Sequence, residues 1–271
     1  MKAIVINPIT ELHKEPCKYS QITDEVLFGN FVDILGCKDD YFLINTEYRY
    51  KGWLAKDALL FGNNAVQAWE NQDKLMISAK YADVLSKTDV KAKRIISLPR
   101  ACIIGVIGVP NTDFWQKVIL PNEDVGYIKA EHLRRVCFTK GDKSEAELRN
   151  AVYKNALSYL GTQYRWGGKT PLGIDCSGLV SMAYLQEGIA IYRDAKIELG
   201  FPVHEINIAD IQKGDLLYFP GHVAMYIGKG NFVHATSHGE KSGVVLASLN
   251  SNNTIFREDL SKTIIKAGSI F

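Results

Sequence analysis

An internal repeat constrains this 271-residue chain more than any other feature of its sequence. The run Lys51-Gly52-Trp53-Leu54-Ala55-Lys56-Asp57-Ala58-Leu59 returns as Val125-Gly126-Tyr127-Ile128-Lys129-Ala130-Glu131-His132-Leu133, at an offset of 74 residues. An aromatic strand precedes each copy: Tyr41-Phe42-Leu43-Ile44 before the first, Phe114-Trp115-Gln116-Lys117-Val118 before the second. Self-similarity at a fixed period argues for one unit built twice. Phe31-Val32-Asp33-Ile34-Leu35 and the glycines and aspartates around it read as short strands separated by turns. A unit of roughly 60–75 residues with about five short strands can close into a small barrel, which hides its edges. Trp53 and Tyr127 are then expected as core aromatics, and Ala65 to Lys74, with Trp69, as the connector between copies.

Composition narrows the function classes. The formal net charge of +2 singles out neither a nucleic-acid binder nor a strongly membrane-attracted protein. No apolar run reaches the roughly 18 residues of a membrane-spanning helix. The start, Met1-Lys2-Ala3-Ile4-Val5-Ile6-Asn7-Pro8, has too short an apolar patch for a secretory signal core. The expectation is a cytoplasmic protein, or a secreted or cell-wall one whose signal has been removed. Five cysteines with no CxxC pair do not make a disulfide framework. Cys17, Cys37, Cys102 and Cys137 are expected as small buried hydrophobes.

Past Cys137 the polar run Thr139-Lys140-Gly141-Asp142-Lys143 marks a boundary. Ser144 followed by Glu147 is a capping-box signature, and Leu148, Val152, Ala156 and Leu157 continue at helical spacing. A glycine-rich loop then leads to Asp175-Cys176-Ser177-Gly178-Leu179-Val180. Asp175 is a good N-cap, which sets Cys176 in the first turn of a helix. Unpaired backbone N–H groups and the helix dipole there favour a thiolate, the form that attacks carbonyl carbon. A buried structural cysteine is the competing reading of this segment.

Gly214-Asp215 opens a strand, and His222 to Ala235 reads as a hairpin turning at Gly228. A turn centred there sets His222 directly opposite His234 on one face. That suits a general base and the group that fixes its tautomer. Two facing histidines can also hold zinc, but no further ligand spacing supports a metal. His13, His132, His204 and His238 have no such partner.

Together, Tyr164-Arg165-Trp166-Gly167-Gly168, Asp175-Cys176-Ser177-Gly178, Gly214-Asp215-Leu216, His222-Val223-Ala224-Met225 and Phe232-Val233-His234-Ala235 resemble the NlpC-type cell-wall cysteine peptidases. The upstream repeat resembles bacterial SH3-like domains. The resemblance implies an α+β protein, with two small SH3-like β-barrels (1–64, and 65–139 with the connector) and a papain-like catalytic domain over 140–271. The whole is similar to γ-D-glutamyl-L-diamino acid endopeptidases, which cut murein peptides. It implies Cys176, His222 and His234 as catalytic, and Tyr164, Asp175, Ser177, Arg193 and Asp194 at the substrate. In this architecture an acidic residue and a tyrosine of the first SH3-like domain recognise a free L-alanine amine, for which Glu25 and Tyr50 are the candidates. After Arg193-Asp194 this chain has Ala195-Lys196 where serine is common, which bears on selectivity at the diamino acid. No metal or organic cofactor is expected. The expected partner is a murein-derived peptide, with no nucleic acid, no membrane span and a monomeric chain. A thiol acyltransferase or amidase on the same fold, or a catalytically dead wall-binding protein, are the alternatives.

Overall fold

In the computed structural model, residues 1–136, 143–239 and 242–271 are described. Cys137 and the expected boundary at 139/140 lie outside them. The chain divides into two compact units, Met1–Val136 and Cys137–Phe271. Both repeat copies fall within the first.

The first copy is an antiparallel sheet of β1 (Lys2–Val5), β2 (Ile9–His13), β3 (Ile22–Leu27), β4 (Phe31–Lys38), β5 (Tyr41–Thr46), β6 (Lys51–Ala55) and β7 (Leu59–Phe61). The second is built from β8 (Lys74–Ile77), β9 (Tyr81–Leu85), β10 (Arg94–Pro99), β11 (Ile103–Ile107), β12 (Trp115–Ile119), β13 (Val125–Lys129) and β14 (Leu133–Arg135). Their strand orders are β3-β2-β6-β5-β4-β1-β7 and β10-β9-β13-β12-β11-β8-β14, the same order twice.

The Gly-aromatic pairs work differently from the expectation. Side chains alternate along a strand, so the residue after each aromatic faces the core instead. Leu54 and Ile128 are fully buried, while Trp53 and Tyr127 are half-buried on the other face. The glycines permit close packing. A Cβ on Gly52 would lie 2.5 Å from the Leu12 side chain, and one on Gly126 2.4 Å from Val84. The connector forms α1 (Asn63–Asn71). Its buried Trp69 donates Nε1–H to the Gly29 carbonyl at 2.9 Å. Cys102 is buried as expected, but Cys17 and Cys37 are exposed. Cys17 sits in the loop between β2 and β3. Cys37 lies past a register shift in β4, where the strand has left the core.

The second unit begins with α2 (Glu145–Leu157), closed by the expected reciprocal Ser144–Glu147 cap. The short strands β15 (Lys169–Thr170) and β16 (Gly173–Ile174) pair within the glycine-rich loop. Then comes α3 (Cys176–Leu185), an apolar helix buried along nearly all its length. A six-stranded antiparallel sheet follows, of β17 (His204–Ile206), β18 (Leu216–Phe219), β19 (His222–Gly228), β20 (Asn231–Thr236), β21 (Gly243–Ser248) and β22 (Lys266–Ser269). Its order is β17-β22-β18-β19-β20-β21, and α3 packs on β19 and β20. The Gly214-Asp215 turn is held from several sides. Asp215 accepts from Arg149 Nη1 at 2.8 Å, from the Ser269 hydroxyl at 2.6 Å and from the Gln212 N–H at 2.8 Å. A buried carboxylate needs such partners, and here they tie α2, β18 and β22 together.

Candidate active site

Asp175 caps α3 as its side chain predicts. Oδ1 accepts the Gly178 N–H at 2.6 Å, and Oδ2 accepts the Gly167 N–H at 2.8 Å. The buried Arg193 clamps the same carboxylate, with Nη1 on Oδ1 and Nη2 on Oδ2, both at 3.0 Å. Arg193 Nη1 also donates to the Ser177 hydroxyl at 2.7 Å, and Nη2 to the Gly167 carbonyl at 2.9 Å. Asp175, Ser177 and Arg193, expected at the substrate, hydrogen-bond to one another and to the glycine loop, where they fix the start of α3. Asp194, the next residue, is exposed.

Cys176 stands at the first position of α3, 6% exposed. The backbone N–H groups of Val223 and Ser177 point to its sulfur and pull its pKa down. Burial and the Asp175 carboxylate outweigh them, and the thiol is pushed up to about 11. The thiolate expected from the helix position is thus not the resting form. A helix end stabilises a thiolate by about 1 kcal/mol, less than the loss of water costs it.

The sequence-based hairpin register was off by two. Met225 pairs with Val233 and Tyr226 with Phe232, and an irregularity follows between Tyr226 and Gly228. The turn lies at Lys229-Gly230, not at Gly228. A shift of two keeps every side chain on its face, where a shift of one would have parted the histidines. His222 Nε2 and His234 Nδ1 meet at 2.9 Å, diagonal neighbours on one face. Phe219 and Phe232 flank the two imidazoles at 5.7 and 5.1 Å between ring centres. Burial, then the charge of Arg257, lowers His222 to about 4. Burial, then His222, lowers His234 to about 3. Both rings are neutral near pH 7. His234 is 1% exposed, and its Nε2 has no hydrogen-bond partner among the described residues.

Tyr164 forms a bridge with Ile174, at the end of the same loop. Burial, then the charge Cys176 would carry, raises its hydroxyl pKa, so it remains a donor. In the first unit, Glu25 is 2% exposed and Asp24 fully buried. Tyr48 reaches this pair, donating to Asp24 Oδ2 at 2.5 Å. The Tyr50 ring packs on the first sheet's core. Sequence reasoning named neither Asp24 nor Tyr48. The adjacent acids Asp24 and Glu25 fall in β3, a strand not singled out from the sequence. No group of three or more His, Cys, Asp or Glu side chains able to hold a metal occurs among the described residues.

A family model described as "NlpC/P60 family" matches residues 161–259, the segment that holds all these groups except those of the first unit. Over its full length the chain is 39% identical to a Lysinibacillus sphaericus protein named dipeptidyl-peptidase 6, and covers all of that relative. The chain belongs to the NlpC/P60 family. A Bacillus cereus relative, named gamma-D-glutamyl-L-lysine dipeptidyl-peptidase, is 22% identical over 80% of this chain and 68% of its own. A crystal structure of an NlpC/P60 family protein from Bacillus cereus superposes with a TM-score of 0.79 at 20% identity, over 98% of both chains. This likeness extends the shared fold beyond the NlpC/P60 segment to both units.

Proposed function

We propose that the protein is a cysteine peptidase in which Cys176 attacks, His222 moves the proton and His234 orients His222. The observation that carries this is the His222–His234 bond, on a strand whose next residue, Val223, points its N–H at the Cys176 sulfur. To act as a base toward the thiol, His222 must present a bare Nδ1. Its Nε2–H then donates to His234 Nδ1, and His234 carries its own proton on Nε2. The resting pair is neutral. As the sulfur attacks the carbonyl carbon, its proton passes to His222 Nδ1, and the amides of Ser177 and Val223 take up the developing charge. The Tyr164 hydroxyl is the candidate donor to the carbonyl oxygen. The amine leaves with the proton from His222, and a thioester joins the acyl group to Sγ. Water attacks the thioester while His222 takes its proton, which releases the acid and restores the thiol.

The substrate we assign is the γ-D-glutamyl–diamino acid bond of a short murein peptide with a free N-terminal L-alanine. Relatives named as dipeptidyl-peptidases, one of them for γ-D-glutamyl-L-lysine, support a reading in which two residues are counted from a free end. Glu25 and Tyr50, in a sheet we read as SH3-like, are our candidates for the amine. The test is hydrolysis of L-alanyl-γ-D-glutamyl-diaminopimelate. Cys176→Ala is expected to abolish turnover, and His234→Ala to lower kcat by roughly 10²–10⁴-fold through loss of the aligned base. Cleavage by Cys176→Ala at the wild-type rate would remove the nucleophile assignment.

A further inference from the structure

The near-neutral total charge hides an uneven distribution. The hairpin joining β9 to β10 reads Ser86-Lys87-Thr88-Asp89-Val90-Lys91-Ala92-Lys93-Arg94, with four cations, one carboxylate and a net charge of +3. It is a built turn. The Ser86 N–H donates to the Lys93 carbonyl, and the Ala92 N–H to the Asp89 carbonyl, both at 2.9 Å. The Asp89 carboxylate accepts the Lys91 N–H at 2.9 Å, so its one acid is turned to the backbone. The side chains of Lys87, Lys91, Lys93 and Arg94 are exposed and have no ion pair among the described residues. Like charges crowded on a hairpin repel, and a turn needs none of them. The matching hairpin of the first sheet, Lys14 to Gln21, has two lysines and one glutamate. There the Lys18 ammonium lies 4.9 Å over the Tyr19 ring.

We propose that the 86–94 hairpin binds a linear polyol-phosphate polymer. Repeated phosphodiester charges on a flexible chain match repeated cations on a narrow tip, and release of counterions drives the binding. The hairpin offers no aromatic ring, the stacking surface that single-stranded nucleic acid uses. Its one exposed apolar residue, Val90, provides little surface for insertion into lipid. The choice of polymer rests on the murein reading above, because such a polymer would hold the enzyme among wall peptides.

The test titrates fluorescent poly(glycerol phosphate) with the full chain and follows anisotropy. Wild type is expected to bind at about 50 mM salt and to weaken roughly tenfold by about 200 mM. The triple variant Lys87→Glu, Lys91→Glu, Lys93→Glu is expected to bind at least about tenfold more weakly. Lys14→Glu with Lys18→Glu, in the first sheet, should bind like wild type. All three proteins should hydrolyse a short murein peptide equally. Loss of that hydrolysis in wild type would count against the peptidase reading and leave the binding result standing. Equal binding by the triple variant would overturn the proposal. So would equal weakening by the first-sheet variant, or tighter binding to an oligonucleotide or an anionic phosphatidylglycerol vesicle than to the polymer.

Discussion

In the first sheet Leu12 pairs with Asp24 and Glu11 with Glu25, and the register slips at His13. In the second, Val84 pairs with Ile96 and Asp83 with Ser97, and the register slips next to Arg94. Asp24-Glu25 and Ile96-Ser97 therefore occupy one place in a fold built twice. The second copy has the arrangement a sheet favours: an apolar pair, and a Ser97 hydroxyl donating to Asp83 at 2.5 Å. The first copy sets two glutamates opposite each other and buries one of them, a less favourable cross-strand pair than its counterpart. The copies therefore differ at the residue proposed above for amine recognition.

Making the first copy like the second is the sharpest way to break this argument. Glu25→Ser is expected to lower kcat/KM on the free-amine peptide by about 100-fold or more, the loss of a buried charged contact, with Tm unchanged or higher. An N-acetylated peptide should show no such difference between wild type and variant. If Tm falls and activity holds, Glu25 serves the fold and the comparison fails. The glycines test where the copies agree. Gly52→Ala and Gly126→Ala should each cost about 1–3 kcal/mol in denaturant unfolding, because both methyl groups meet a packed side chain. A cost at only one of them would mean that the copies pack differently.

The same reasoning extends to the buried imidazoles. Both pKa values lie below the ordinary 6.5, so the unfolded chain takes up protons first as pH falls. Their contribution to stability is whole above about pH 6.5 and is lost from there down, toward about 4 for His222 and about 3 for His234. His222→Gln should flatten the fall in Tm below pH 6.5. In turnover, kcat/KM should hold on the acid side until about pH 4, where His222 gains its proton. The smallest expected effect is at the joint between copies. Trp69→Phe removes the N–H donated to Gly29 and should cost about 1 kcal/mol of stability, with hydrolysis unchanged.

Much of this was legible in the sequence, where local rules decide. The Ser144–Glu147 cap, Asp175 as N-cap, the place of Cys176 in the first turn of α3, and the doubling of the N-terminal unit all follow from short-range chemistry. The rest depends on long-range contacts. The His222–His234 pairing survived a wrong turn assignment only because its error was even-numbered. The neutral thiol was not foreseeable, since Asp175 and the burial of α3 act on Cys176 only after folding. For the same reason the burial of Arg193 against Asp175 was not foreseeable. Nothing in its neighbours shows that its guanidinium closes onto a carboxylate 18 positions upstream.

The unpartnered Nε2 of His234 bears on where a hydrogen ion can go. Among the described residues, no acceptor stands beyond it to relay a hydrogen ion outward. In the mechanism proposed above, His234 keeps its own proton on Nε2 and orients His222, so the hydrogen ion taken from Cys176 would pass from His222 to the departing amine.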